Sequence, residues 1–346
     1  MLLLPGLLRG NEAAAARPAQ AKKPAHILRI GHFPNITHAQ ALVAQAMERE
    51  GRPWFEPRLG SDVTLSWFIY NSGPSAMEAI LADSIDLSYS GLTPALNAFF
   101  RMRGRDIRIL SGACSGGAAL VVQGSANVQS ASDLRGKQIG TPQLGNTQDI
   151  AARAWLSASG LSIRLTGGDA LVIPSSNPDL FTLYKRKELD AVWTVEPWVS
   201  RLVGEAGGRI LFEESTLWPE NKGRYATALV VCGTRFKDRH PDIVKRFIAA
   251  HVDLTDWIVA NPEEAQKLAN SQIKEATRRA LPEPLLKSAW KRLEFTPDPI
   301  QKSVVRTATD MQKLGFTRTI PNLGPLFELS ALNDALKERN RPSISP

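Results

Sequence analysis

Cysteine and histidine are scarce in this sequence, and their scarcity removes whole classes of chemistry. Of 346 residues only two are Cys and five are His. Cys114 and Cys232 form no C-x-x-C pair, and the histidines (26, 32, 38, 240 and 251) are not grouped. Neither a zinc site nor an iron-binding Cys/His set is therefore spelled out. Also missing are a G-x-S-x-G elbow, a Ser-His-Asp spacing and a phosphate-binding P-loop. No apolar run approaches the roughly 18 residues that span a bilayer. No enzymatic activity, cofactor or metal is expected from such a chain.

What is present is ordinary globular material: 43% hydrophobic and 22% charged residues. The length suggests about two domains. The net charge is +8, but Arg9, Arg17, Lys22 and Lys23 stand against Glu12 alone within residues 1–25, so the body is only mildly basic. Its Lys and Arg are scattered rather than striped, and nucleic-acid binding is not expected. A mild positive field draws in small anions, and it serves solubility equally well. Residues 2–8 are apolar, residues 13–16 are Ala, and a Pro/Lys/Gln/Ala segment follows. Residues 1–25 thus look like a secretory leader without its basic beginning, or a disordered tail. They hold no Cys for a lipid, so a freely exported protein is expected. Each body Cys lies in or beside an apolar β-like run; two buried thiols are expected, with a disulfide as the alternative.

The chain is organised around Ile139-Gly-Thr-Pro-Gln-Leu-Gly-Asn-Thr-Gln-Asp149 and the helical residues 150–159 behind it. With Asn146 as N-cap, Asp149 falls at the third helical position, a capping box. Such a helix start offers unpaired amides and a partial positive charge. A plain helix cap uses the same residues. The construction recurs. Thr37 with Gln40 reads as a second capping box, Pro74 sits at a first helical position, and Thr93 with Pro94 reads as N-cap and N1.

Residues 26–31, 55–59, 67–70, 85–90, 107–112 and 119–123 read as strands, as do 170–173, 190–194, 209–213 and 227–232. Beyond residue 240 the pattern is helical: 241–261, 262–269, 284–293, 299–314 and 326–337, each opened by or just after Pro, then a frayed tail at 339–346. Strands alternating with helices give an α/β architecture. Its ligands sit beyond the carboxyl ends of the strands, where residues 32–38, 90–93, 143–148 and 194–198 fall. Two of these segments precede residue 119 and two follow residue 132, which suits two lobes sharing a cleft. Residues 119–123 and 227–232 read as the crossings between them.

Taken together, these stretches resemble the periplasmic substrate-binding proteins of ABC importers, in the nitrate, aliphatic sulfonate and taurine branch. The stretches that carry it are Ile30-Gly-His-Phe-Pro-Asn-Ile-Thr-His-Ala39, Asn71-Ser-Gly-Pro-Ser-Ala-Met-Glu-Ala-Ile80 and Ile85-Asp-Leu-Ser-Tyr-Ser-Gly-Leu-Thr-Pro-Ala95. Gly112-Ala-Cys-Ser-Gly-Gly-Ala118, Thr141-Pro-Gln-Leu-Gly-Asn-Thr-Gln-Asp149 and Trp193-Thr-Val-Glu-Pro-Trp198 complete the set. The resemblance implies a type II periplasmic binding protein fold, two α/β lobes joined by two hinge strands. Residues 26–118 and 233–346 would form lobe 1, with the C-terminal helices packed on it, and residues 119–232 would form lobe 2 with both crossing strands. It implies a periplasmic, exported, monomeric protein that closes over a small anionic solute, foremost an aliphatic sulfonate, and hands it to a membrane permease. A taurine or nitrate receptor, or a thiamine-precursor binding protein or enzyme on this fold, are the alternatives. Cys114 stands where a small Ala, Ser or Thr is expected.

The ligand candidates follow. Asn146, Thr147 and Gln148, with Gln143 before them, supply side-chain and backbone donors for an anion's oxygens. Ser90, Gly91 and Thr93 offer a second helix start, and Thr37 with a neutral His38 a third. Ser115, Gly116 and Gly117 either let backbone approach a ligand or only make a tight turn. Phe33 and Trp193, with Trp198 nearby, either wall off an alkyl group or belong to the core. Glu196 would repel a sulfonate if bare; it caps the site, pairs with a cation, or meets an amine on a zwitterion such as taurine.

Overall fold

The computed structural model describes residues 26–165 and 167–345, so the leader-like residues 1–25 lie outside it. The strands are β1 (His26–His32), β2 (Val63–Ile69), β3 (Leu87–Ser90), β4 (Ile107–Gly116), β5 (Ala118–Gln123), β6 (Gln138–Pro142), β7 (Leu171–Ser175), β8 (Ala191–Val195), β9 (Gly208–Glu213), β10 (Ala226–Gly233) and β11 (Leu293–Phe295). The helices are α1 (Ala39–Arg49), α2 (Glu56–Leu59), α3 (Gly73–Leu81), α4 (Leu92–Arg101), α5 (Thr147–Ala158), α6 (Asn177–Lys185) and α7 (Trp198–Ala206). Then come α8 (Thr234–Arg239), α9 (Pro241–Ala260), α10 (Pro262–Thr277), α11 (Glu283–Trp290), α12 (Gln301–Lys313) and α13 (Ser330–Glu338).

Two sheets carry two lobes. The first has six strands in the order β11-β4-β10-β3-β1-β2, and the second five in the order β7-β6-β8-β5-β9. Within each, the strands that feed helices are parallel: β1 with β2 and β3, and β6 with β7 and β8. Such strands end on one edge, and the helices that follow begin there. The C-terminal helices cover the first sheet, burying Phe247, Leu254, Ile258, Val304, Met311 and Leu332 in its core. The same helices also reach the second lobe, α11 against α7 and α12 against α5.

One expected crossing strand changes lobe. β5 lies in the second sheet, whereas β10 lies inside the first, antiparallel to both β3 and β4. Both segments are buried on their two faces, and a strand buried twice reads as an unbroken apolar run wherever it lies. The chain recrosses before β10. Tyr225 ties the two passages together: its hydroxyl accepts from the Ala118 amide at 3.0 Å and its own amide donates to Ser115 Oγ at 3.2 Å.

Residues 55–59 are not a strand but contain the short helix α2, whose Pro57 has no amide to give a sheet ladder. The helix starts also shift. Gly91, not Thr93, is the N-cap of α4, and α1 opens from a 3-10 turn with no side-chain cap bond. Gln40 is instead buried, donating to the Ala113 carbonyl and Thr255 Oγ1. Residues 339–345 do not fray: Arg339 holds Asp253, Arg341 holds Asp256, and Ile344 exchanges two hydrogen bonds with Asn333.

The tip of α5 is set by a buried ion pair rather than by a capping box. Asp149 is wholly buried and accepts from Thr141 Oγ1 (2.7 Å), the Gly145 amide (3.0 Å) and Arg153 Nε (3.0 Å). Arg153, equally buried, reaches on to the Arg164 carbonyl. Removing one member of such a pair strands the other's charge away from water, at a cost of about 3 kcal/mol or more. Arg153→Met should therefore lower the unfolding free energy by about 3 kcal/mol, read as a fall in the urea midpoint at unchanged slope; a loss below about 1 kcal/mol would contradict this role.

Candidate functional site

Five helices begin on one small cavity. The residues just before α1, α3, α4, α5 and α6 are His38, Ser72, Gly91, Asn146 and Ser176, and every one of them lines it. The cavity holds about 50 Å³, enough for a few waters or one compact polyatomic head group. It lies between the lobes. Phe33, Asn35, Thr37, Asn71 and Thr227 come from the first, while Pro142, Gln143, Thr147, Gln148, Ser175, Asn177 and Val195 come from the second.

The lobes touch through helix tips. The Thr93 amide donates to Thr147 Oγ1 at 3.3 Å, and Asn97 Nδ2 donates to the Gly145 carbonyl at 3.2 Å. A methyl group at Gly91 would come within 2.8 Å of Thr147 Oγ1, so glycine is what lets α4 and α5 approach this closely. Gln143, in the turn before α5, has φ 40, a left-handed conformation that costs a non-glycine residue of order 1–3 kcal/mol. Asn146 caps α5 by accepting from the Thr147 amide at 2.9 Å. The tip at Asn146 faces Thr93 and its neighbours, as the shared-cleft reading requires.

No Asp, Glu, Lys or Arg lines the cavity among the described residues. What it offers is partial charge from helix starts, each carrying the equivalent of roughly half a positive charge, although the Thr147, Thr93 and Asp179 amides already donate to Asn146, Thr147 and Ser176. His38 adds a neutral donor. Its Nδ1 accepts from the Phe33 amide at 3.2 Å, which leaves the ring proton on Nε2. Burial pushes its pKa down to about 3, helped by the nearby His32 ring, so it stays uncharged. The ring stacks on Phe33 at 4.5 Å. Ser90 and Thr93, on either side of Gly91 in the chain, are fully buried, and among the described residues neither hydroxyl has a hydrogen-bond partner. A buried orphan hydroxyl costs about 1–3 kcal/mol, which marks the place where a partner belongs.

Of the residues singled out from sequence, Phe33, Thr37, His38, Gly91, Gln143, Asn146, Thr147 and Gln148 line this cavity, while Ser90 and Thr93 flank Gly91 in the chain and do not line it. The others are elsewhere. Trp193 is wholly buried in the second lobe's core, packed on Trp155 and Phe212 and donating to Glu214 at 2.8 Å. Glu196 is also fully buried and does not line this cavity; it accepts from the Ser200 amide and pairs with Arg292 at 3.0 Å. Burial raises its pKa against the pull of Ser200 and Arg292. Ser115, Gly116 and Gly117 form the crossing itself, beside a separate surface hollow lined by Arg224, Arg292 and Glu294. Cys114 and Cys232 are free thiols buried in β4 and β10.

Sequence reasoning passed over Asn35, Asn71, Ser72, Ser175, Ser176 and Asn177. The signal was present, since Asn-Ser-Gly-Pro after β2 and Ser-Ser-Asn-Pro after β7 repeat the strand, polar cap, helix pattern of the α5 tip.

Comparison with known proteins agrees with this layout. Residues 21–273 match the NMT1-like family. The taurine-binding periplasmic protein of Escherichia coli (strain K12) is 24% identical over 274 residues, covering 76% of this chain and 81% of that protein. Among solved structures, the alkanesulfonate-binding protein of Xanthomonas axonopodis pv. citri bound to MOPS matches with a TM-score of 0.67 at 20% identity, over 90% of this chain and 100% of that one. The periplasmic nitrate-binding protein of Synechocystis PCC 6803 matches with a TM-score of 0.72 at 15% identity, over 91% and 89%. The fold is that of the two-lobed periplasmic binding proteins.

A neutral buried His38 has a thermodynamic consequence. Its pKa falls from 6.5 to about 3 on folding, so the unfolded chain binds the extra proton first. Its contribution is fully present above pH 6.5 and fades as pH falls toward 3. The stability difference between the wild type and His38→Gln, from urea unfolding, should shrink by about 2 kcal/mol between pH 7 and pH 5. A flat difference would mean that His38 is charged or solvated.

Proposed function

The chain belongs to the NMT1-like family, and on that premise we propose that it is the substrate-binding component of an ABC importer, closing over a small oxyanion, foremost an aliphatic sulfonate. It works outside the cytoplasmic membrane as a monomer and presents its cargo to a membrane permease. Among the described residues no helix is long and apolar enough to cross a membrane. Taurine and nitrate remain the neighbouring ligands to test.

The observation that carries this reading is the neutral, donor-rich cavity at five helix starts. A sulfonate is a permanent anion whose oxygens only accept hydrogen bonds. Amides and hydroxyls satisfy it without a counter-charge, and a cavity free of carboxylates does not repel it. A polyol would need acceptors as well as donors, and the helix tips supply mainly donors. Because lining residues come from both lobes, the full donor set exists only when the lobes are together. Ligand binding therefore stabilises the closed form by the contacts that the open form lacks.

An enzyme on this scaffold would need a reactive group in the cleft. Cys114 and Cys232 are held away from it, and burial pushes both thiols up, toward the unreactive protonated form.

Thr93→Val tests the site directly, because the same-shape change removes an orphan hydroxyl. The ligand-free melting temperature should stay the same or rise, since nothing was bonded to that oxygen. Affinity for ethanesulfonate or taurine should fall about tenfold, as expected for one hydrogen bond to a charged group. An unstable variant with unchanged affinity would remove Thr93 from the site. If neither sulfonates, taurine nor nitrate raise the wild-type melting temperature at millimolar concentration, the oxyanion reading itself fails.

A further inference from the structure

The small polar cavity has a larger neighbour. Phe33, Asn35, Asn71, Ser176 and Asn177 line a second chamber as well, of about 460 Å³, so the two spaces adjoin across a shared wall. For scale, a dry cavity of about 150 Å³ takes up benzene. The chamber differs from the cavity in chemistry. Its walls are Tyr70, Ile273 and Leu281 from the first lobe, facing Pro178, Pro197 and Trp198 from the second.

These walls are held in place. Trp198 lies under the guanidinium of Arg201, 4.6 Å from the ring centre, and Arg201 is in turn paired with Glu205 at 3.2 Å. The loop after α10 is clamped, with the Leu281 amide and carbonyl both bonded to the Asn270 side chain. At the rim, Arg279 from the first lobe pairs with Glu205 from the second at 3.5 Å. Both arginines are thus engaged by one carboxylate, and what the chamber leaves for a guest is mostly apolar surface, with Asn35, Asn71 and Thr277 among its polar lining.

We propose that the cargo carries its oxyanion on a ring-bearing apolar tail, an arenesulfonate rather than a taurine-sized molecule, with the head in the small cavity and the tail between Trp198 and Leu281. This rests on the oxyanion reading given above and puts an aryl tail in place of the aliphatic one. A head group alone would leave the chamber's apolar walls facing water. A ring removes that surface from solvent, and rigid aromatic and proline walls lose little freedom in receiving it.

The test is calorimetric titration of the full chain with taurine, ethanesulfonate, benzenesulfonate and naphthalene-2-sulfonate. Naphthalene-2-sulfonate should bind at least about tenfold more tightly than ethanesulfonate, the yield of burying roughly two methylenes' worth of apolar surface. Its heat-capacity change should be more negative. In Trp198→Ala the ratio between those two ligands should shrink toward one. Leu281→Ser, whose loop is held through its backbone, should shrink it in the same direction if Trp198→Ala fails to fold. Ethanesulfonate or taurine binding as tightly as the aryl ligands would overturn the proposal and leave the oxyanion reading standing. Binding of none of the four would overturn both. An undiminished ratio in a folded variant would place the tail elsewhere.

Discussion

An anion can be held without a cation only if enough partial positive charge converges on it, and that convergence is the constraint on which this structure depends. Each helix start contributes a small electrostatic term, of order 0.3–1 kcal/mol and up to about 2 when partly buried. One tip is therefore weak, and five aimed at one point are not. The first sheet aims α1, α3 and α4, and the second aims α5 and α6. Neither lobe has the full set. The contact between Thr93 and Thr147, allowed by the missing side chain at Gly91, marks how closely the two sets must meet.

Keeping full charges out of the cavity requires placing them elsewhere, and the fold does so in pairs. Asp149 and Arg153 lie just behind the α5 tip, bonded to each other, so their charges fix the turn at Gly145 without facing a ligand. Glu196, close to the cleft in sequence, turns instead to Arg292. That arginine, placed between α11 and β11, also holds Glu213 and so joins the lobes beside the crossings. With Tyr225 linking Ala118 and Ser115, this side of the molecule is a bonded hinge. At the cleft the lobes meet through Thr93 and Thr147, through Asn97 and Gly145, and through Ile150 of α5, which is buried with the first lobe's core.

The α/β order and most helix starts were legible because they are local: a polar cap, a proline or a glycine acts within a few residues of itself. The N-cap of α5, Asn146, was read for the same reason, whereas Asp149, expected to close a capping box, bonds Thr141, Gly145 and Arg153 instead. What could not be read was direction. β8 is buried on both faces, so alternation gave no hint that Trp193 points into the core rather than into the cleft. β10 looked like β5 because both are covered twice, and only pairing with β3 and β4 assigns it to the first sheet. Glu196 depended on Arg292, 96 positions away, and Ser115 on Tyr225, 110 positions away. The larger chamber was legible on one side alone. Phe33 and Trp198 stood in motif-bearing stretches, but residues 273–282, which close it from the first lobe, carry no motif.

The most direct measurement is a crystal structure of the full chain with ethanesulfonate. The account predicts the three sulfonate oxygens within hydrogen-bond distance of the first-turn amides of α5 and of the hydroxyls of Ser90 or Thr93, and every Lys and Arg side chain outside contact range. A sulfonate paired with Arg201 or Arg279 at the rim, with the small cavity left to solvent, would contradict it.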